Sequence, residues 1–272
     1  MIDVRALVGS HDILFITFDT LRHDVAQSSW REGRTPTLAA LLPSEGWQRR
    51  HSPATFTYAA HQAFFAGFFP TPVEPTAAKE ARPFAVCFPG SSSIGARTAV
   101  FDAPDIVTGL AGRGYHTICI GGVGFFNPTT PLGTVLPGLF REQHFDRRLG
   151  VTDPRSTEHQ VALAVRRLGE LPREQRVFLF INVSAIHHPN RAYLPGAETD
   201  SLASHAAALA YVDGQLPPLF RALARRAPTF AILCSDHGTA YGEDGCRGHR
   251  LSHPVVWTVP YAEALLHAEE GP

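Results

Sequence analysis

Residues 12–19 form an almost continuous apolar run that closes on the carboxylate of Asp19. A run apolar on both of its alternating faces is the mark of a strand covered on both sides, as in a parallel sheet. Residues 114–122, ending in glycines, and 177–183, the strongest run of the chain, read the same way. So do residues 229–234, which end in Ser235-Asp236-His237-Gly238. Between these runs, apolar residues recur at helical spacing over 103–111, 157–171 and 202–226. The last is interrupted at Pro217 and Pro218, so it is one long helix or two. Strands alternating with helices predict an α/β fold, with a mostly parallel central sheet and helices on both faces.

Shorter signals fill the gaps. Residues 35–42 read as a short helix with Pro36 in its first turn, and 255–259 as an additional strand. Residues 70–93, rich in Pro, Ala and Ser, read as a long loop, and 125–154 as irregular. No repeat, low-complexity tract or linker divides the chain, which predicts one domain over 1–272.

Composition narrows the function classes. With 44% apolar and 10% aromatic residues over 272 positions, the chain can bury a sizeable core. Its 24 basic and 25 acidic residues give a formal net charge of −1. No global field therefore draws it to nucleic acid or an anionic membrane, and neither is expected as a partner. Cys87, Cys119, Cys234 and Cys246 form no CxxC pair, which suits reduced thiols. Without an apolar leader or a membrane-length run, the expected location is cytoplasmic. Fourteen histidines stand out, and position has to decide which of them carry chemistry.

In open parallel sheets, ligands bind at the carboxyl ends of the strands, where residues distant in sequence converge. Three such ends carry Asp19, the segment 184–188, and Asp236 with His237. Two carboxylates and an imidazole suit one divalent cation, Mn, Zn, Mg or Ca. Residues 52–70 read as a loop that opens into a short helix and stops at Gly67, with Thr57 near the helix start. Alone, Thr57 reads as a helix cap. Beside the acids, its hydroxyl completes the cation's ligand set. An alcohol is a poor nucleophile at neutral pH unless a cation lowers its pKa and offsets charge on the attacked group. His187 or His188, His61, and His249 or His253 are candidates to hold non-bridging oxygens or to protonate a leaving group. Arg22 either touches an anionic substrate or faces solvent, and Asp213 is read as structural.

These residues resemble the alkaline phosphatase superfamily, in particular its sulfatase, phosphonate monoester hydrolase and lipoteichoic-acid-synthase-like branch. That family's nucleophile is followed by a basic residue four positions on and a glycine ten positions on, as Thr57 is by His61 and Gly67. Its acidic first strand matches Asp19. Its central strand, with a histidine before a proline, matches 182–189, and its late metal pair matches Asp236 and His237. The resemblance spans residue 12 to about 260 and implies a core without the long carboxyl-terminal subdomain common in sulfatases. Threonine cannot mature to the formylglycine of sulfatases, so the resemblance implies phosphoryl rather than sulfuryl chemistry. No Asp-x-x-Gly-His-like segment is present, which favours one metal over two.

The expectation is therefore a metal-dependent hydrolase or transferase of phosphate or phosphonate esters, working through phosphothreonine on a small-molecule or peptide-borne anionic ester. The alternative is a catalytically weak metal-binding scaffold in a biosynthetic assembly. The short chain suggests an open site, covered in a homo-oligomer or by a partner subunit.

Overall fold

The first strand, β1 (Asp12–Phe18), is buried at all seven positions, as its unbroken apolar run requires. It lies between β5 (Val177–Val183) and β6 (Thr229–Cys234), parallel to both. The computed structural model describes residues 2–67, 105–130 and 132–268, and two short strands, Ala85–Cys87 and Thr98–Val100, paired in parallel. With β2 (Gln48–His51), β3 (His116–Ile120), β4 (Glu142–His144) and β7 (Thr258–Leu266), the main sheet has seven strands. Their order is β2-β7-β6-β1-β5-β3-β4. Five strands run parallel, from β6 to β4, while β7 is antiparallel to both β6 and β2.

The period of two along β1 sorts the core into two halves. Leu14, Ile16 and Phe18 face one, with contributions from helices α1 (His23–Arg31), α4 (Ser156–Glu170), α5 (Leu202–Gln215) and α6 (Pro217–Arg226). Ile13 and Phe15 face the other, with Tyr58 and Phe65 of α2 (Thr57–Ala66) and Val107 and Leu110 of α3 (Ile106–Gly112). The α/β architecture with helices on both faces is the one the alternation predicts.

The differences are local. The pattern at 202–226 resolves into two helices, because Pro217 fits a first turn but not a helix interior. The helix expected at 35–42 shrinks to Pro36–Ala39, with the backbone N–H groups of Thr37 and Leu38 donating to Asp213 at 3.0 and 2.7 Å. That contact bears out a structural role for Asp213. The strand expected at 255–259 is displaced. His253 caps a short helix, α7 (Pro254–Trp257), and β7 begins only at Thr258. Polar β4, an edge strand, left no apolar signal within the irregular 125–154. Residues 70–93, expected as a long loop, lie outside the described residues except for Ala85–Cys87.

Candidate metal centre and its cavity

Parallel registration makes the site. Thr17 lies level with Asn182 on one neighbour and Cys234 on the other, so the residues that follow all three strands emerge together. Asp19, Asp236 and His237 are fully buried there, with ligand atoms within 4.8 Å of one another. Thr57, at the first position of α2, brings Oγ1 to 3.5 Å from Asp19 Oδ2 and 3.3 Å from His237 Nε2. His237 Nε2 is 3.5 Å from Asp236 Oδ2 and 3.9 Å from Asp19 Oδ1. These are long for hydrogen bonds and ordinary for donors arranged around one ion.

Electrostatics agree with a cation. Burial pushes the Asp19 carboxyl up to about 6, aided by the nearby Asp236, and the Asp236 carboxyl up to about 7. Burial also holds the His237 imidazole down to about 4, which keeps it neutral and ready to ligate. Asp19 Oδ1 and Asp236 Oδ2 are buried acceptors with no hydrogen-bond partner. Two orphaned carboxylate oxygens beside a neutral imidazole and a hydroxyl fit a divalent metal.

The backbone is shaped to hold this set. Thr20 takes a left-handed conformation (φ 64°), costly for a β-branched residue, and its N–H donates to Asp236 Oδ1 at 3.1 Å. The N–H of His237 donates to the same oxygen at 3.0 Å. The oxygen of Asp236 that keeps no partner is therefore the one turned toward Asp19 and His237. Asn182 Nδ2 donates to Asp19 Oδ2 at 3.3 Å. Ser52 Oγ donates to the backbone carbonyl of Asp236, tying the loop before Thr57 to the end of β6. Gly238 is required by close approach: a Cβ there would sit 2.0 Å from the carbonyl oxygen of Val255. Thr20 and Asn182 were not singled out as positioning residues, since a left-handed backbone and a cross-strand amide contact leave no signal in spacing.

Thr57 opens onto a cavity of about 800 Å³. His187, His188 and His249 line it, and their ligand atoms also lie within 4.8 Å of one another. The rings of His187 and His188 stack at 4.0 Å, and His249 is 4.6 Å from His237. Burial holds His188 down to about 4 and His249 down to about 2, and His249 Nδ1 is buried without a partner.

Three candidates do not line the cavity. His61 is fully buried, with Nε2 2.9 Å from Thr17 Oγ1 and Nδ1 2.7 Å from the carbonyl of Thr57. Phe64, Phe65, Phe126 and Phe180 surround its ring, and burial holds it down to about 3. It braces α2 from the core side and has no nitrogen left for a leaving group. Arg22 neither meets the cavity nor faces solvent, because its guanidinium is buried between Asp24 and Glu243. His253 lies 3.0 Å from Asp244 and caps α7, so His249 is the late histidine that reaches the site. A helical turn and a neighbouring acid, neither visible as spacing, decide these placements.

No protein-family model and no curated protein matches the chain. Solved structures do. The soluble domain of lipooligosaccharide phosphoethanolamine transferase A (EptA) from Neisseria meningitidis superposes with a TM-score of 0.63 at 15% identity, covering 95% of this chain and 77% of that one. Against the integral membrane form of EptA, the chain spans about half the length, 48%. The C-terminal periplasmic domain of EptC from Escherichia coli, in complex with zinc, gives 0.63 at 13% identity over 96% and 73%. A protein of the alkaline phosphatase superfamily from Vibrio parahaemolyticus gives 0.55 at 16% identity over 97% and 61%. The chain thus has the fold of the alkaline-phosphatase-like soluble domains. Among the described residues no helix is long and apolar enough to cross a membrane.

Proposed function

We propose that this chain is a metal-dependent phosphoester transferase or hydrolase that works through Thr57. The observation that carries the reading is the convergence of Thr57 Oγ1 with Asp19, Asp236 and His237 at the floor of the cavity. It is supported by similarity to phosphoethanolamine transferases and to a zinc-bound domain of the same fold. Asp19, Thr57, Asp236 and His237 would hold one divalent cation, manganese or zinc being the best match to the mixed oxygen and nitrogen donors. Such an ion lowers the pKa of an alcohol and offsets charge on a phosphoryl group.

The chain's own residues do the rest. Thr57 Oγ1, its proton released to solvent, bonds to phosphorus as the bond to the leaving oxygen breaks, giving phosphothreonine. His188 and His249, neutral by burial, contact the non-bridging oxygens, and His187 supplies the leaving group's proton. Water or an acceptor alcohol then displaces the threonine. The buried aromatic bed beneath α2 keeps the attacking oxygen fixed in the cavity floor.

The test is turnover of bis(4-nitrophenyl) phosphate and phenyl phosphonate esters with manganese or zinc. Thr57→Ala should lower kcat/KM by about a thousandfold, as removal of a covalent nucleophile does. Mass spectrometry of the quenched wild type should find phosphate on Thr57. Full turnover by the alanine variant would overturn the reading, whereas no turnover by the wild type with either metal would leave the scaffold role standing.

A further inference from the structure

The metal centre accounts for only one end of the cavity. Beyond Thr57 and the three histidines, the cavity is lined by two arginines, Arg147 and Arg250, and by Val123, Phe125, Phe145 and Val151. No carboxylate lines the cavity among the described residues. The nearest acids along the chain are engaged elsewhere, Asp146 with Arg148 and Asp244 with His253.

Arg250 is held in place at a conformational cost. It has φ 67°, a left-handed conformation that glycine would adopt without strain. Its backbone N–H donates to the carbonyl of Thr55 at 2.8 Å, two residues before the nucleophile. The guanidinium lies over the Phe56 ring at 5.4 Å and the Phe125 ring at 6.0 Å. Those two rings, themselves 6.2 Å apart, fix the charge at the cavity wall rather than leaving it to wander in solvent. A side chain kept where its backbone is strained, aimed along a carboxylate-free wall, is built to meet an anion.

Building on the phosphoester reading above, we infer that the substrate is a doubly anionic ester: one phosphoryl group at Thr57, and on its organic portion a second anionic group, phosphate or carboxylate, held by Arg147 and Arg250. The segment between the two groups lies along Val123, Phe125, Phe145 and Val151, so it is apolar or flat. A singly charged ester leaves both guanidiniums without a partner, and a cationic head group on that side is disfavoured.

Binding tests this separately from turnover. Isothermal titration of the full chain with manganese compares phenylphosphonate, with one anionic head, against 1,4-phenylenediphosphonate, with two; neither reacts. The second head should tighten binding roughly tenfold for two solvent-accessible guanidiniums, and the gain should shrink as salt rises. Arg147→Gln and Arg250→Gln should each cut that ratio, Arg250→Lys should restore part of it, and thermal melts identify any variant that has lost its fold. Equal affinity for the two probes, or a ratio unchanged in both glutamine variants, would overturn the inference. Retained preference in a protein that turns over no ester would sink the catalytic reading and leave the two-anion site standing.

Discussion

At the scale of single residues, metal binding at the candidate centre would be a competition with protons. Asp19 and Asp236 hold protons up to about pH 6 and 7 because burial disfavours their charged forms, and a cation must displace those protons to bind. Apparent metal affinity should therefore rise with pH until above about 7 and then level off. Titration of manganese at pH 6 and pH 8 in buffers of different ionisation enthalpy should show both the weaker binding and the released protons. For the metal-free protein the sign runs the other way. A carboxyl whose folded value lies above its ordinary 3.8 makes its contribution to stability in full below 3.8, and loses it progressively as pH rises from 3.8 to the folded values of about 6 and 7. The metal-free melting temperature should thus lose this increment across that window, and saturating metal should remove the loss. Elemental analysis should return one ion per chain; two would put the second on His187, His188 and His249.

At the scale of elements, the site depends on contacts that lock strands to the loops behind them. Gly238→Ala pushes a methyl group into the carbonyl of Val255, and backbone cannot yield as a flexible side chain would. We expect a loss of about 1–3 kcal/mol, read from chemical denaturation, with kcat falling further than stability because Asp236 and His237 move with the strand end. The opposite end of the sheet has its own anchor. Asp12, at the start of β1, is buried and paired with Arg226 at 2.9 Å, while the guanidinium also reaches the carbonyls of Leu168 and Leu171. Arg226→Met leaves that buried carboxylate with only Arg176, at 3.5 Å, as a counter-charge and should cost about 3 kcal/mol. Because it lies at the far end of β1 from Asp19, it should lower the denaturation midpoint while leaving metal stoichiometry unchanged.

At the scale of the whole molecule, one ion would join residues 19, 57, 236 and 237, and so tie the first strand, the helix that opens at Thr57 and a late strand together. An ion bound only by the folded chain stabilises all of it by mass action, about 2.7 kcal/mol at a hundred times its dissociation constant. Chelation should therefore lower the global melting temperature in a single cooperative transition, measured by calorimetry. A melt indifferent to chelator would mean that the four residues do not share a metal.

The buried strands, the helices between them and the trio Asp19, Asp236 and His237 were legible in the sequence, since continuous apolar runs leave few alternatives to a doubly covered parallel sheet. Such a sheet brings its carboxyl ends together wherever they fall in the chain. Which histidines join them was not legible. His61 and His249 are the same residue type near the same motifs, yet one is sealed among phenylalanines and the other opens on the cavity. Arg22 and Arg250 differ likewise, one closed off by Asp24 and Glu243, the other left to face the cavity over two aromatic rings. Local pattern determines which segments are strands and helices, because periodicity is a property of neighbours. Which side of a buried helix faces a ligand, and which cation is already neutralised, depends on groups far away in the chain, and only the tertiary structure decides that.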